Sequence, residues 1–217
     1  MTIRILFAIL LLTAGRLVAQ DEVVNDPAAQ SILDRVAEKY RTASAIEAEV
    51  ELTMYFPETD QPEIQSIDLE SQGEKFRVEV AQDVYLSDGV TMWTYMGAIE
   101  EVTIYDYDPN DQLFAPARLF GFYDEDYIYA VQERTGDEVT LVLVPVDKGV
   151  EFFKIYVTID EATDRITRTE VLERSGMRYV MDFESVDLDA SVADDRFVFD
   201  RVRDAGGADI FVTDMRD

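Results

Sequence analysis

The chain has no cysteine and no histidine in its 217 residues. Without cysteine there is no disulfide to staple the fold and no N-terminal thiol to carry a lipid anchor. Without either residue, Ser-His-Asp and Cys-His nucleophilic machinery is excluded, and so are nearly all zinc, copper and haem sites. There is no glycine-rich phosphate loop. Bases are scarce too: 19 Lys and Arg stand against 46 Asp and Glu, a formal charge of −27. Such a surface repels nucleic acid and anionic lipid headgroups. It promotes solubility first and also suits docking of a basic partner.

The chemistry left to an enzyme of this composition is a carboxylate pair, as in glycoside hydrolysis. Acidic pairs such as Glu100/Glu101, Asp187/Asp189 and Asp194/Asp195 are too common here to single any out. The run from Asp106 to Ala117 opens like a calcium loop, with Asp106, Asp108 and Asn110 at positions 1, 3 and 5. It then has Asp111 at position 6, where Gly is needed, and Ala117 at position 12, where Glu is needed. No catalytic residue, metal site or cofactor is expected.

What is present begins with a secretory signal over residues 1–20. Arg4 supplies the basic start, Ile5–Leu12 is an unbroken apolar run, and Gly15 and Ala19 are small residues suited to cleavage. The run is shorter than the roughly 20 residues that span a bilayer. Removing it takes away Arg4 and Arg16 and no acid, leaving −29 on a single domain over residues 21–217. With no cysteine to anchor it, the expected location is the periplasm of a double-membraned bacterium.

Asp26-Pro27 opens a helix, with Asp at the N-cap and Pro at the first position. Ala29, Ile32, Leu33, Val36, Ala37 and Tyr40 then fall on one apolar stripe. Next, "AIEAEVELTMYF" alternates Ile46, Ala48, Val50, Leu52, Met54 and Phe56 with Glu47, Glu49, Glu51, Thr53 and Tyr55, a strand with one apolar and one acidic face. Strands over 64–71 and 74–81 flank a turn at Gly73. Asp88-Gly89 marks a hairpin, and 101–107 continues the meander. The segment 109–130 breaks the alternation and reads as loop with one or two short helices. Strands follow over 138–144, 151–160, 165–173 and 176–185, with short ones at 197–199 and 209–213.

Roughly ten strands each carry one apolar face, and one substantial helix is available to cover them. A bare sheet face that size would aggregate. Two solutions exist: a sandwich, or a barrel or half-barrel that holds something apolar. The pattern alone leaves both open.

Taken together, "VAEKYRTASAIEAEVEL", "EKFRVEV", "YLSDGVTMWTYMGAIEEVTIYDYD", "LVLVP", "FKIYVTID" and the tail "FVFD…ADIFVTDMRD" resemble the periplasmic outer-membrane lipoprotein carrier family, LolA. Asp88, Gly89, Trp93 and Tyr95 form the most recognisable piece, and the resemblance spans about residues 28–215. It implies a mainly β fold with helices: a strongly curved, incomplete antiparallel β-barrel, with the N-terminal helix and a short helical lid over an apolar cavity. It also implies a monomeric shuttle, not an enzyme. Such a shuttle takes acylated lipoproteins from an inner-membrane ABC transporter to an outer-membrane acceptor. A module of the same fold for another lipid or a glycolipid is the alternative.

Strand and helix parity then nominate the cavity lining. On the strands these are Val50, Leu52, Met54, Phe76, Val78, Val80 and Trp93. On the helix they are Ile32, Leu33 and Val36, and on the lid Phe114, Leu119, Phe120 and Phe122. One departure stands out. Family members carry an Arg-Pro pair before the strand equivalent to "KFRVEV", whose Arg ties the lid shut; here that place reads "SQGE". The nearest Arg, Arg77, has the parity opposite to Phe76.

Overall fold

The computed structural model describes residues 25–108 and 126–216. Helix α1 (Pro27–Thr42) comes first. Six strands follow: β1 (Ile46–Tyr55), β2 (Glu63–Gln72), β3 (Lys75–Val80), β4 (Asp83–Ser87), β5 (Thr91–Met96) and β6 (Glu101–Asp106). The second run is β7 (Tyr127–Thr135), β8 (Glu138–Pro145), β9 (Phe152–Asp160), β10 (Arg165–Glu173) and β11 (Arg178–Asp187). A 3₁₀ turn (Asp194–Phe197), a single helical turn α2 (Arg201–Asp204) and β12 (Phe211–Asp214) complete the chain.

All twelve strands belong to one sheet, in the order β12-β6-β5-β4-β3-β2-β1-β11-β10-β9-β8-β7. The ladder runs unbroken from one edge to the other and does not close, which excludes the sandwich and gives a curved half-barrel. Its curvature is visible in the core. Phe76 and Val78 of β3 share one buried cluster with Val139, Leu141 and Leu143 of β8, although five strands separate them in the ladder. A flat sheet would hold them far apart, since strands lie about 4.8 Å from each other.

The turns follow their sequence signals. Gly73 (φ 61°) turns β2 into β3. Gly89 (φ 89°) turns β4 into β5, where the Asp88 carboxylate accepts the Val90 and Thr91 N–H groups at 2.9 and 2.8 Å. Glycine adopts this left-handed backbone without a Cβ clash. Between β1 and β11 the register shifts at Glu49/Val50. The extra residue on β11 lets Phe183 and Val186, three apart, both pack on the concave cluster.

Two expected elements differ. Residues 127–130, read as loop or helix, are the start of β7, which runs on to the Gly136 turn. Tyr127, Ile128, Tyr129 and Val131 carry enough β-branched and aromatic character to form a strand once β8 is alongside. The expected strand at 197–199 is instead the end of the 3₁₀ turn and an extended link, because Phe197 tucks completely inside rather than pairing.

Helix α1 lies in the concavity. Asp26 caps it by accepting the Ala28 N–H at 2.8 Å, and Pro27 occupies the first turn as expected. Ala29, Ile32, Leu33, Val36 and Tyr40 are buried against the sheet. Each large apolar side chain of this stripe contributes about 2 kcal/mol. The wet side of α1 is tied to the β9–β10 turn: Arg35 meets Asp164 at 3.0 Å and Lys39 donates to the Thr163 carbonyl at 2.6 Å. The Tyr40 hydroxyl accepts the Ile166 N–H at 3.1 Å. Burial pushes that phenol's pKa up and keeps it neutral.

A second, smaller cluster sits on the other face of β4–β6. Val84, Leu86, Tyr95 and Val102 are buried there under Phe199, Ala205 and Ile210 of the C-terminal segment. That segment is fastened by charge. Arg196 grips Glu70 through Nε and Nη2, at distances from 2.7 to 3.1 Å. Lys75 reaches Asp194 at 2.6 Å.

Candidate functional site

The concave face has two ends with different covering. At one end Ile46, Ala48 and Val50 of β1, Leu69 of β2, and Phe76 and Val78 of β3 are all buried, in one cluster with the apolar stripe of α1. Toward the other end the same alternating face continues but burial falls. Leu52 and Met54 of β1, Ile67 of β2, Val80 of β3, Met181 of β11 and Val171 of β10 are half-buried. The pairing puts these residues side by side. Leu52 is opposite Met181, Val80 is opposite Ile67, and Met54 is opposite Tyr179, itself paired with Val171. The result is an apolar rim five strands wide, with Gln65 and Glu63 of β2 beside Leu52 and Met54 at its outer end.

The structure places the nominated residues at several levels of this face and one on the other face. Ile32, Leu33 and Val36 supply the helix side, and Val50, Phe76 and Val78 the buried floor. Val80 packs half-buried against that cluster, while Leu52 and Met54 are half-buried on the rim. Trp93 is a correction. It packs with Val84, Leu86, Tyr95 and Val102 on the opposite face, and its strand neighbour Met92 is the residue in the concave cluster. Trp93 pairs with Leu86 and Ile104, whose faces turn away from α1. Phe114, Leu119, Phe120 and Phe122 lie outside the described residues. Sequence reasoning did not nominate Tyr85, Met181 or Phe183, all packed at the concave cluster. The alternation in "RYVMDFES" was the available signal for the last two.

Few groups on this face titrate near neutrality. Burial, followed by the nearby carboxylate of Asp83, raises the Tyr85 phenol; burial and then Glu173 do the same for Tyr179. Both stay uncharged. Among the described residues no group of three or more acids is placed to hold a metal ion. The surface offers apolar contact and few polar anchors. Arg77, the nearest candidate for a latch, is on the convex face and pairs with Asp204 there.

A curved, unclosed sheet, antiparallel except for the parallel β12–β6 pair, with one amphipathic helix in a graded apolar concavity, defines an open half-barrel. The chain matches the family model "Outer membrane lipoprotein carrier protein LolA" over residues 70–200, and it belongs to that family. No curated protein matches the sequence. Three solved structures are similar in fold. An uncharacterized conserved protein from Thermus thermophilus has a TM-score of 0.55 at 14% identity, over 87% of this chain and 98% of that one. The lipoprotein LppX of Mycobacterium tuberculosis has a TM-score of 0.50 at 9% identity, over 78% and 100%. A LolA superfamily protein from Nitrosomonas europaea has a TM-score of 0.43 at 16% identity, over 79% and 97%.

Proposed function

We propose that the protein is a periplasmic carrier that shields the acyl chains of lipoproteins on its concave face. In this reading it receives them from an inner-membrane ABC transporter and yields them to an outer-membrane acceptor. The observation that supports it best is the half-buried rim of Leu52, Met54, Val80 and Met181, continuous with the buried cluster that includes the stripe of α1. An acyl chain laid on that rim removes water from both partners, worth about 0.8 kcal/mol per CH₂. A rim that is already partly covered keeps the net gain modest, as a carrier that must release its load requires. The cargo lining in this reading is the rim plus Ile32, Leu33, Val36, Val50, Phe76 and Val78, exposed to cargo as α1 shifts.

Native mass spectrometry of the protein with triacylated lipopeptide, free fatty acid and phospholipid in parallel tests the reading. A one-to-one adduct with the lipopeptide, competed by an apolar dye, supports it. A preference for phospholipid or fatty acid would move the assignment to a carrier of another lipid. No adduct with any of the three would sink it.

A further inference from the structure

The two edges of the sheet are finished differently. At β7 four outward backbone groups between Tyr127 and Val131 are taken by Asn25 and Asp26, just before α1. The Tyr127 carbonyl accepts from Asn25 Nδ2 at 3.4 Å, and the Tyr129 N–H donates to Asn25 Oδ1 at 3.0 Å. The Tyr129 carbonyl accepts the Asp26 N–H at 3.1 Å, and the Val131 N–H donates to Asp26 Oδ2 at 3.2 Å. Exposed edges invite foreign strands, and these contacts block the first half of this one.

At β12 nothing comparable is present among the described residues. The Phe211 and Met215 N–H groups donate inward, to the carbonyls of Glu100, just before β6, and Ile104 on it, at 2.9 and 2.8 Å. Strand alternation then turns the N–H and C=O groups of Val212 and Asp214 outward, on a strand that ends the sheet. Phe211 (77% exposed) and Val212 (61%) flank that edge on its two faces, with Met215 (62%) beyond. The surroundings are acidic. Glu101 and Asp106 lie on β6, and Asp209 and Asp214 on the C-terminal segment. Of the nearby cations, Arg216 is committed to Asp214 at 2.6 Å and Arg201 stands 3.8 Å from Asp209.

We propose that the outer edge of β12 is an interaction surface that takes an extended, basic, apolar-alternating segment of another protein as one further strand. Backbone pairing supplies the geometry: Val212 and Asp214 offer two donors and two acceptors. Phe211 and Val212 give apolar side chains of the incoming strand a neighbour on each face. Charge selects the partner. A second copy of this chain brings another −27 and repels, whereas a Lys- or Arg-bearing strand is attracted. This surface is independent of what the concave face carries.

The test uses the full protein and a short peptide of alternating Lys and Val, followed by NMR and amide exchange. Binding is expected to slow exchange at Val212 and Asp214 by roughly tenfold or more, with the rest of the sheet unaffected. Val212→Pro removes an outward N–H without touching the β6 ladder, a position where edge strands tolerate proline. It is expected to weaken peptide binding by about tenfold while the circular dichroism spectrum stays unchanged. The Glu-for-Lys peptide is expected not to bind. Peptide binding that leaves the Val212 and Asp214 amides unchanged, or that survives Val212→Pro, would mean general attraction to an acidic surface and overturn the proposal. So would no binding, or a concentration-dependent dimer that pairs through β12.

Discussion

Arg77 Nη2 lies 2.9 Å from Asp204 Oδ1, and both side chains are sealed from solvent at 2% and 0% exposure. Arg77 starts on β3, and Asp204 ends the turn of helix in the C-terminal segment. The pair joins the convex face of the sheet to the segment that covers it. Each partner is further saturated. Arg77 reaches Glu79 at 2.6 Å, and Asp204 accepts from Arg203 Nε at 2.6 Å and from the Asp200 N–H at 2.7 Å. Buried charges persist only when every lone pair and proton finds a partner.

Removing one side of that pair leaves the other charged and dry. Asp204→Ala is therefore expected to cost about 3–5 kcal/mol, read as a lower urea midpoint by circular dichroism. The double variant Arg77→Met/Asp204→Leu is expected to recover most of that loss. The lone Trp93 belongs to the cluster beneath this segment, so its emission reports separately on whether the segment has lifted. A fluorescence change that precedes the loss of β-sheet signal is the expected order.

The same pair sets an acid dependence. Burial alone would raise the Asp204 pKa. Arg203, the Asp200 N–H and Arg77 together outweigh it and hold the carboxyl below its ordinary value. A depressed carboxyl stabilises the fold fully above its unfolded pKa, and that stability is lost as pH falls through the folded value. The urea midpoint should therefore be flat from neutrality down to about pH 4 with respect to this group, then decline. Asp204→Asn is expected to be less stable at neutral pH and to show a shallower decline below pH 4.

Leu52 and Phe76 have the same parity in the sequence pattern but different surroundings. Phe76 is fully buried, with the Tyr107 ring 6.0 Å away, while Leu52 is half-buried on the rim. Phe76→Ala is expected to cost about 3–5 kcal/mol in a thermal or urea melt. Leu52→Glu is expected to leave the melt within about 1 kcal/mol, because its carboxylate reaches water, and to reduce lipopeptide adducts in native mass spectrometry. Equal loss of stability in both would place Leu52 in the core and remove it from the cargo surface.

Asp26 has two tasks, capping α1 and blocking the first half of the β7 edge. Its carboxyl is held below the ordinary range by the Ala28 N–H first and the Val131 N–H next. Asp26→Ala should lower the melting temperature as a lost N-cap. Amide exchange at Val131 should quicken at the same time. Asp26→Asn keeps a capping oxygen and is expected to recover most of the stability.

Much of the fold was legible because local chemistry and tertiary structure agree. The Asp26-Pro27 start, the stripe from Ala29 to Tyr40, the Gly73 and Gly89 turns and the alternation in β1 and β3 each depend on neighbours in the chain. Where partners are distant the pattern misleads. Tyr127–Ala130 becomes a strand only because β8 pairs with it, and Phe197 folds inward because its 3₁₀ turn packs on β3, where Lys75 lies over its ring. Trp93 falls on the unexpected face for a similar reason. Parity separates two faces, but both faces of β5 are apolar and covered, so alternation could not say which of them looks at α1.

The sequence by itself determined the classes of chemistry that are out of reach, the amphipathic helix, the strand faces and the family. Composition, period and turn residues are local quantities and need no third dimension. Only the tertiary structure decided how far the apolar face is filled. An identical alternation yields full burial at Val50 and Phe76 and half-burial at Leu52 and Val80, because burial depends on what distant elements bring to each level of the sheet. It also decided which sheet edge is blocked, since the groups that cap β7 come from about a hundred residues away in the chain.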